Sequence, residues 1–331
     1  MELFKGINQI KVPLDEKDSN AVNVYIIEGT SGNLMIDTGF NIPACFNILS
    51  QEMKASGFSI KDITHIAITH IHPDHIGMAG KIAELSGAKI YVSEIEYAQL
   101  DTRYWHSESL IKQTSDFLRL NGVPDWELKM LSEASLSLVN NVYPISSVEY
   151  LKPLDRIIVE PFEFQLLLTP GHSKGHICFY EPNKKYLFSG DHVLPEIMTT
   201  VCYHPQSGEN PLADYINSLN ELTNMEIRFI FPGHGAVFSG IAPKIDSIMH
   251  WLKEQMQSIQ KVMGLEIKTA YDVAKNLLWF ANDELVDYDK LQAIRRRQAV
   301  LQTLAFLQYL VTDNKCKKLH HEDTITYWFD A

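Results

Sequence analysis

The sequence has few cysteines and no long apolar run. Its four cysteines are widely spaced among 331 residues and none belongs to a paired cysteine motif: Cys45, Cys178, Cys202 and Cys316. This spacing predicts neither a disulfide framework nor a thiolate zinc site. No apolar stretch is long enough to span a bilayer, and the N-terminus lacks the basic start and apolar run of a secretory signal. We therefore expect a cytoplasmic protein with no membrane partner.

Basic residues are also scarce. Lysine and arginine number 29 against 41 aspartates and glutamates, which gives a net charge of −12. From Ile241 onward the two signs balance at 12 each, so the acidic excess lies in the first 240 residues. Because nucleic acids bind basic surfaces, this charge opposes a nucleic-acid partner. The change in composition predicts two domains that divide near Pro243, at residues 1–243 and 244–331.

One short segment is crowded with metal-ligating side chains. Directly after the apolar stretch 63–68, the chain places three imidazoles and one carboxylate within six positions: His70, His72, Asp74 and His75. Neutral imidazole and ionised carboxylate hold divalent cations such as zinc. Without a metal, neighbouring imidazoles would repel each other when protonated. The segment therefore predicts a metal-binding loop at the end of a strand.

Three later segments supply further potential ligands. In each, an apolar strand ends, a glycine permits a sharp turn, and a ligand type follows. The three residues are His172, Asp191 and His234. A single loop cannot enclose an ion, and two ions need about seven donors. Four strand ends therefore present enough ligands along one edge of the fold.

The order and turn context of these motifs resemble the metallo-β-lactamase superfamily of hydrolases, whose pattern is His-x-His-x-Asp-His followed by separate His, Asp and His residues. The resemblance covers about the first 240 residues. It implies an α/β fold, a four-layer αββα sandwich, and two divalent metal ions, with zinc expected and manganese or iron as alternatives. The implied ligands are His70, His72 and His172 for the first ion, Asp74, His75 and His234 for the second, and Asp191 as the bridge.

The N-terminal segment fits the same family. Residues 23–29 and 33–39 are typical of paired strands around the turn Gly29–Gly32. By resemblance, Asp37 would orient the ligand loop, a role in which a carboxylate fixes imidazole tautomers. The alternative is that Asp37 only caps a turn.

Two regions outside the motifs are expected to shape a substrate pocket. Residues 93–147 form a helical insertion that is broken at Asn121–Asp125. By resemblance, such an insertion covers the metal edge. The loop after Asp191 contains proline and glycine and is expected to rim the pocket, which makes Tyr203 and His204 candidate substrate contacts.

The C-terminal segment is predicted to be mostly helical. Helices are expected at 241–263, 269–278 and about 289–311, followed by a strand at 324–329. This order resembles a winged-helix module, which some superfamily members carry, including a lactamase-like ribonuclease. The basic clusters Arg295–Arg297 and Lys315–Lys318 would then contact nucleic acid. The favoured alternatives are packing, formation of a homodimer, or a wall of the active site.

The resemblance implies a hydrolase. Two close cations lower the pKa of bound water, so a hydroxide that bridges them can attack an ester-type bond in a small-molecule thioester, lactone or phosphoester. Asp74 and Asp191 would orient this hydroxide, and Asp74 would accept its proton. The alternatives are a metal-dependent ribonuclease that binds RNA through the C-terminal domain, and an iron-dependent redox member of the same fold. The redox alternative is weaker, because the second metal site is complete and no flavin domain follows.

Overall fold

The computed structural model describes residues 1–14, 21–281 and 284–330, with side chains for all of these except 135–138. Within these ranges the chain forms two large β-sheets, two separate hairpins and ten α-helices. None of the helices in the described ranges is both long and apolar enough to cross a bilayer. The four cysteines carry free thiols.

The first sheet contains seven strands in chain order, with three helices after its fourth and fifth strands. The strands are β1 (Glu2–Phe4), β2 (Ile7–Pro13), β3 (Ala21–Gly29), β4 (Gly32–Ile36), β5 (Ile63–Ala67), β6 (Lys89–Ser93) and β7 (Glu149–Leu151). The helices are α1 (Pro43–Ala55), α2 (Pro73–Ile76) and α3 (Ala79–Ser86). Strands β1 to β4 are antiparallel, and β5 to β7 continue the sheet in parallel. The predicted hairpin is confirmed, because β3 and β4 pair with Gly29 opposite Gly32.

The predicted helical insertion lies between β6 and β7. It contains α4 (Glu94–Leu100), a π-helical turn at Asp101–Trp105, α5 (Glu108–Leu120) and α6 (Asp125–Val139). The predicted break is confirmed, because α5 ends and α6 begins on either side of residues 121–124.

The second sheet contains five strands. One helix, which lies between the last two of them in the chain, packs on the outer face of the sheet. These elements are β8 (Arg156–Val159), β9 (Phe162–Leu168), β10 (Ile177–Glu181), β11 (Tyr186–Gly190), α7 (Pro211–Thr223) and β12 (Phe229–Pro232). Strands β8 to β11 are antiparallel neighbours, and β12 joins β11 in parallel. The parallel pairing brings the ends of β11 and β12, and hence Asp191 and His234, to the same edge.

The C-terminal segment begins with the long helix predicted from its apolar spacing. Its elements are α8 (Ile241–Met263), α9 (Ala270–Lys275), β13 (Leu278–Ala281), β14 (Glu284–Asp287), α10 (Ala293–Thr312), β15 (Lys317–His320) and β16 (Ile325–Trp328). The second helix ends earlier than predicted, because Leu278 begins a hairpin that the sequence analysis missed. The signal was the aromatic pair Trp279 and Phe280, which favours strands. Likeness to a winged helix stays a prediction.

The two large sheets pack face to face with helices on both outer faces. Apolar side chains from both sheets fill the space between them: Ile27, Leu34, Ala67, Phe164, Phe188 and Phe231. A second cluster lies between the first sheet and the helices α1 and α3. A third lies between the second sheet, α7 and α8. This confirms the four-layer αββα architecture.

The insertion and the C-terminal segment share the third cluster. The predicted domain border at Pro243 falls in the first turn of α8. Apolar side chains from α5, α7, α8, α10 and β16 form one continuous core there: Leu118, Tyr215, Leu252, Leu304 and Tyr327. The insertion and the C-terminal segment therefore bury each other's apolar surface.

Candidate metal centre

The four ligand motifs meet at one end of the sandwich, and both sheets contribute. The first motif follows β5, whereas His172, Asp191 and His234 follow β9, β11 and β12. Gly233 makes the close approach possible. A Cβ atom there would lie 2.4 Å from Asp191 Oδ1 and 2.8 Å from His75 Cε1. A glycine before His234 is therefore required by space rather than by backbone conformation.

Three histidines form the first group of donors. The Nδ1 atom of His72 lies 2.8 Å from Nε2 of His70 and 2.9 Å from Nε2 of His172. His70 is buried, and the other two are partly buried. Three imidazole nitrogens thus converge on one point, where their lone pairs could bind one cation.

A carboxylate and two histidines form the second group. Asp74 Oδ2 lies 3.3 Å from His234 Nε2 and 3.7 Å from His75 Nε2. The donor atoms of these three residues are mutually close enough to hold a metal ion. Mixed oxygen and nitrogen donors of this kind suit zinc and its neighbours in the first transition series.

Asp191 lies between the two groups. Its Oδ1 atom is 3.4 Å from His75 Nε2 and 3.5 Å from His234 Nε2, in the second group. Its Oδ2 atom is 3.6 Å from His172 Nε2, in the first group. One carboxylate therefore faces both groups with different oxygens.

Two orphaned buried atoms test whether the donors fit a metal. His75 Nε2 and Asp191 Oδ1 are buried, and although they lie 3.4 Å apart, neither meets the geometry of a hydrogen bond with the other or with any other described residue. Buried polar atoms without hydrogen bonds are uncommon, because they lose their hydration and gain no interaction that compensates for it. Since both atoms are good ligands and face the same point, the residues fit a divalent cation.

Backbone carbonyl groups accept hydrogen bonds from the outer ring nitrogens of two of the ligand candidates. His172 Nδ1 donates to the carbonyl oxygen of Thr200 at 2.8 Å, and His234 Nδ1 donates to that of Ala21 at 2.9 Å. Because a carbonyl only accepts, the proton sits on Nδ1 and the lone pair of Nε2 faces the centre. The surroundings thus select the ligating tautomer.

Asp37 is buried directly behind the second group. Its Oδ2 accepts hydrogen bonds from His75 Nδ1 and from Thr69 Oγ1, each at 2.8 Å, and Oδ1 accepts from the Thr69 backbone N–H at 2.9 Å. The residue adopts φ +57°, which costs energy in a residue other than glycine. These contacts favour the orienting role over a simple turn cap.

Glu96 is a positioning residue that the sequence analysis missed. It lies on α4 and is only 1% exposed. Its carboxylate accepts from the backbone N–H of Ile71 at 2.9 Å and from that of Gly175 at 2.7 Å. It thereby ties the loop of His70 to the loop of His172. The one signal in the sequence was its spacing of four from Leu100, which places both residues on the same helix face.

The pKa values differ between the two groups. Burial lowers the pKa values of His70 and His72 well below the ordinary value, and neighbouring imidazoles lower them further. Burial also lowers the pKa of His172. These three imidazoles are neutral at pH 7, which is the form that binds a metal.

Without a metal, ion pairs between imidazoles and carboxylates hold the second group together. Burial acts to lower the pKa of His234, but the carboxylates of Asp191 and Asp74 raise it to about 9. Burial is likewise outweighed at His75, whose pKa the same carboxylates raise well above the ordinary value. At Asp74 burial acts to raise the pKa, and the nearby imidazoles lower it to about 2. Metal binding here must displace protons.

The two candidate substrate contacts lie on the loop after Asp191, which also carries the Thr200 carbonyl that contacts His172. The ring of Tyr203 is half-buried against Phe117, with centroids 5.5 Å apart, and its backbone N–H donates to the Leu301 carbonyl at 2.9 Å. The Nδ1 atom of His204 accepts from the backbone N–H of Gln206 at 3.2 Å. Contact of either residue with a substrate stays a prediction.

The three arginines of the predicted basic cluster face different surroundings. Arg295 is exposed and donates to Gln298. Arg296 donates to backbone carbonyls and lies 3.5 Å from the buried carboxylate of Glu127. Arg297 is partly buried and near Cys202. The sequence cluster is therefore not one basic surface.

Comparison with known proteins identifies the family. The family model described as the metallo-beta-lactamase superfamily matches residues 18–234, which include all seven ligand candidates. The chain belongs to the metallo-beta-lactamase superfamily. The resemblance that the motifs suggested is thereby confirmed, and the chain is a metallo-hydrolase by this membership.

Two relatives match this chain at low sequence identity. A probable metallo-hydrolase from Bacillus subtilis (strain 168) is 24% identical over 275 residues, covering 77% of this chain and 80% of its own. An atrochrysone carboxyl ACP thioesterase from Aspergillus fumigatus is 25% identical over 227 residues; the match covers 68% of this chain and 40% of that protein.

A solved structure shares the fold over almost the whole chain. A metallo-beta-lactamase family protein from Thermus thermophilus has a TM-score of 0.85 at 23% identity, and the match covers 99% of this chain and 100% of that one. The shared fold therefore includes the insertion and the C-terminal segment.

Proposed function

We propose that this superfamily member is a dinuclear metal-dependent hydrolase of ester-type bonds in small molecules. The observation that carries the proposal is the position of Asp191, whose two oxygens face the two donor groups at 3.4–3.6 Å. A carboxylate in that position can link two cations. Zinc is the proposed metal, because imidazole and carboxylate donors suit it, with manganese or iron as alternatives.

Seven residues would hold the ions. His70, His72 and His172 would bind the first ion, and Asp74, His75 and His234 the second, with Asp191 shared. When bound, two such ions supply an activated water nucleophile near pH 7 and polarise the oxygen of the bond to be cleaved. The backbone carbonyls of Thr200 and Ala21 and the carboxylate of Asp37 would keep the imidazoles oriented.

Asp74 is the proposed proton acceptor. It is partly exposed, whereas Asp191 is only 8% exposed, so Asp74 is the carboxylate that solvent and substrate can reach more easily. Its carboxylate is ionised at neutral pH and can therefore accept a hydrogen bond that orients a water molecule. No serine or cysteine nucleophile is required.

A thioester is the first substrate class to test. One relative is named as an acyl-carrier thioesterase, although this chain spans only 40% of its length. Lactones and phosphoesters are tested next, because a metal centre with the same ligands could also hydrolyse them.

Ribonuclease activity ranks behind these classes. Three of the six basic side chains expected to bind RNA are paired with acidic neighbours: Arg296 with Glu127, Lys315 with Asp313 and Lys317 with Asp330. A surface of paired charges gains little from displacing counterions.

A hydrolysis screen of the metal-loaded protein tests the proposal. The substrates are matched thioesters, lactones, phosphodiesters and a short RNA, each assayed with wild-type protein and with Asp191→Ala. We expect one ester-type class to be cleaved by the wild type and not by the variant, together with about two metal equivalents in the wild type and fewer in the variant.

Arg228→Gln provides the control, because Arg228 is exposed at the far end of β12. It should keep both the activity and the metal. If Asp191→Ala retains two full equivalents, or cleaves its substrate as fast as the wild type, the bridging assignment is wrong. If only RNA is cleaved, the protein is a ribonuclease and the proposed hydrolysis of small-molecule esters is wrong.

A further inference from the structure

Two arginines from distant parts of the chain belong to segments that contact the loops of the candidate metal centre, and neither has an acidic partner among the described residues. Arg103 belongs to the π-helical turn of the insertion, and Arg297 belongs to α10. Both are partly buried. The arginine ion pairs within the described ranges of the chain involve Arg119, Arg156 and Arg296. Neither Arg103 nor Arg297 takes part in one.

Hydrogen bonds fix the π-helical turn against the metal-binding loop. The Tyr104 hydroxyl donates to the Ile71 carbonyl at 2.6 Å, and Ile71 separates the ligands His70 and His72. Insertions that widen a helix to a π-turn occur often at functional sites, because they redirect side chains. Arg103 therefore projects from a segment that is anchored to the ligand loop.

The loop after Asp191 joins this turn to α10. Gln206 Nε2 donates to Thr102 Oγ1 at 3.0 Å on one side. On the other side, the Cys202 thiol lies 4.0 Å from the Gln298 carbonyl. The same loop presents the Thr200 carbonyl to the ligand His172. Arg103 and Arg297 thus approach a single loop that touches the centre.

The charges of the two guanidiniums act on the same neighbours. Burial lowers the pKa of His204 well below the ordinary value, and the positive charges of Arg103 and Arg297 lower it further. Burial, together with the charge of Arg103, lowers the pKa of Arg297 to about 10. The positive charge of Arg103 therefore disfavours the charged form of Arg297. Such a pair costs energy unless an anion joins it.

We propose that Arg103 and Arg297 bind an anionic group of the substrate, a carboxylate or a phosphate, at the end remote from the bond that is cleaved. Guanidinium groups recognise both anions through paired N–H donors. A positive pair in a chain of net charge −12 suits an anionic ligand better than a neutral one. This inference rests on the proposed ester hydrolysis and adds the substrate class: an ester that carries a negative charge.

Three matched thioesters test the proposal. They are the S-phenyl thioester of glutarate, its methyl-capped neutral counterpart, and a counterpart that ends in phosphate. We expect wild-type kcat/KM to be at least tenfold higher for one charged compound than for the neutral one. Arg103→Gln and Arg297→Gln should each lower kcat/KM for that compound by about 10- to 100-fold, mainly through KM, and leave the neutral compound within about twofold.

The choice between the charged thioesters identifies the anion. A preference for the glutarate compound indicates a carboxylate, and a preference for the phosphate compound indicates a phosphate. Arg297→Lys should retain part of the preference, since it keeps the charge but loses the paired donors. Arg228→Gln, far from the centre, should retain all of it. Equal activity of the wild type on charged and neutral compounds overturns the proposal while leaving the hydrolase assignment intact.

Binding of simple anions separates this proposal from the proposed function. Inorganic phosphate and succinate are titrated calorimetrically into the metal-loaded wild type and the same variants. Binding that weakens at least tenfold in Arg103→Gln and in Arg297→Gln, and not in Arg228→Gln, supports the arginine site even if no ester is cleaved. Equal binding by the wild type, Arg103→Gln, Arg297→Gln and Arg228→Gln overturns it, because the anions then bind elsewhere, for example at the metals.

Thermal stability and metal content exclude a structural explanation. Because neither guanidinium has an acidic partner among the described residues, we expect each Gln variant to keep its metal and melt no lower than the wild type. A fall of several degrees in both variants, with equal losses on charged and neutral thioesters, would assign the arginines to folding instead.

Discussion

The metal edge and the wall that faces it are built in different ways. The edge uses four loops, each of which follows its own strand of the central sandwich. The wall uses the insertion, the loop at 198–206 and the C-terminal segment, which are far apart in the chain and share one apolar core. Rigid strand ends hold the chemistry in place, whereas the wall can vary and set specificity.

A buried carboxylate holds the wall together. Glu127 on α6 is fully buried. It accepts hydrogen bonds from the hydroxyls of Tyr271 at 2.6 Å and Tyr288 at 3.0 Å, and Arg296 lies 3.5 Å away. The insertion and the C-terminal segment are thus joined by charge as well as by apolar contact. Changes at the edge should alter metal binding, and changes in the wall should alter stability.

The largest effect is expected at the edge. His172→Ala should reduce hydrolysis to the level of Asp191→Ala, a loss well above the roughly 10–100-fold that follows from removing an outer partner of a ligand. Metal analysis should show a loss of about one equivalent, because the first group loses one of three imidazoles. His250→Ala, at an exposed histidine of α8, is the control. Unchanged metal content in His172→Ala would contradict the first group.

The next effect concerns the wall. Glu127→Ala should lower the free energy of unfolding by about 3–5 kcal/mol, because it leaves two hydroxyls without their acceptor and the partly buried Arg296 without its only nearby carboxylate among the described residues. Urea denaturation measures the loss. The folded fraction should keep its metal. The exposed Glu133→Ala on the same helix should cost no more than about 0.5 kcal/mol. Loss of metal from folded Glu127→Ala would break the distinction between the two regions.

A smaller effect is expected at Asp37. Asp37→Asn should weaken metal binding by about 10- to 100-fold, because the amide has only one acceptor oxygen, so its NH2 group must face either the Thr69 backbone N–H or the donors of His75 and Thr69. Competition with a chelating dye measures the affinity. Asp116→Asn, at an exposed ion pair, should leave it unchanged. If Asp37→Asn lowers stability but not metal affinity, the residue only caps a turn.

The smallest effect is a difference in acid sensitivity between the two groups. His75 and His234 have raised pKa values, about 9 for His234, so protons compete with a metal at neutral pH. His70, His72 and His172 have lowered pKa values and meet this competition only in stronger acid. Each displaced proton should cost about tenfold in affinity per pH unit below the pKa.

The test is to equilibrate the protein at pH values between 8 and 5, in steps of about one unit, and to measure the metal content at each. It shows which group loses its metal first as the pH falls. We expect the second equivalent to be lost first as the pH falls. His172→Ala should show only the acid-sensitive phase, and His234→Ala only the resistant one. Simultaneous loss of both equivalents would mean that Asp191 couples the two groups fully.

Much of the fold and of the site was predictable because the signals are local. Apolar strands followed by a glycine and a ligand type mark the later strand ends, and the spacing in α8 marks its buried face. The hairpin at Leu278–Asp287 was missed because four-residue strands give little periodicity. Glu96 was missed because an acidic residue in an amphipathic helix has the pattern of an exposed one.

The sequence by itself determined the family, the four-layer fold and the seven ligand candidates, since each depends on residue types at short spacing. Only the tertiary structure showed that Asp191 faces both groups, that Asp37 and Glu96 support the ligand loops, and that the segments of Arg103 and Arg297 meet at one loop. The physical reason is distance along the chain. Contacts between residues far apart in sequence depend on packing of whole elements, which no local pattern encodes.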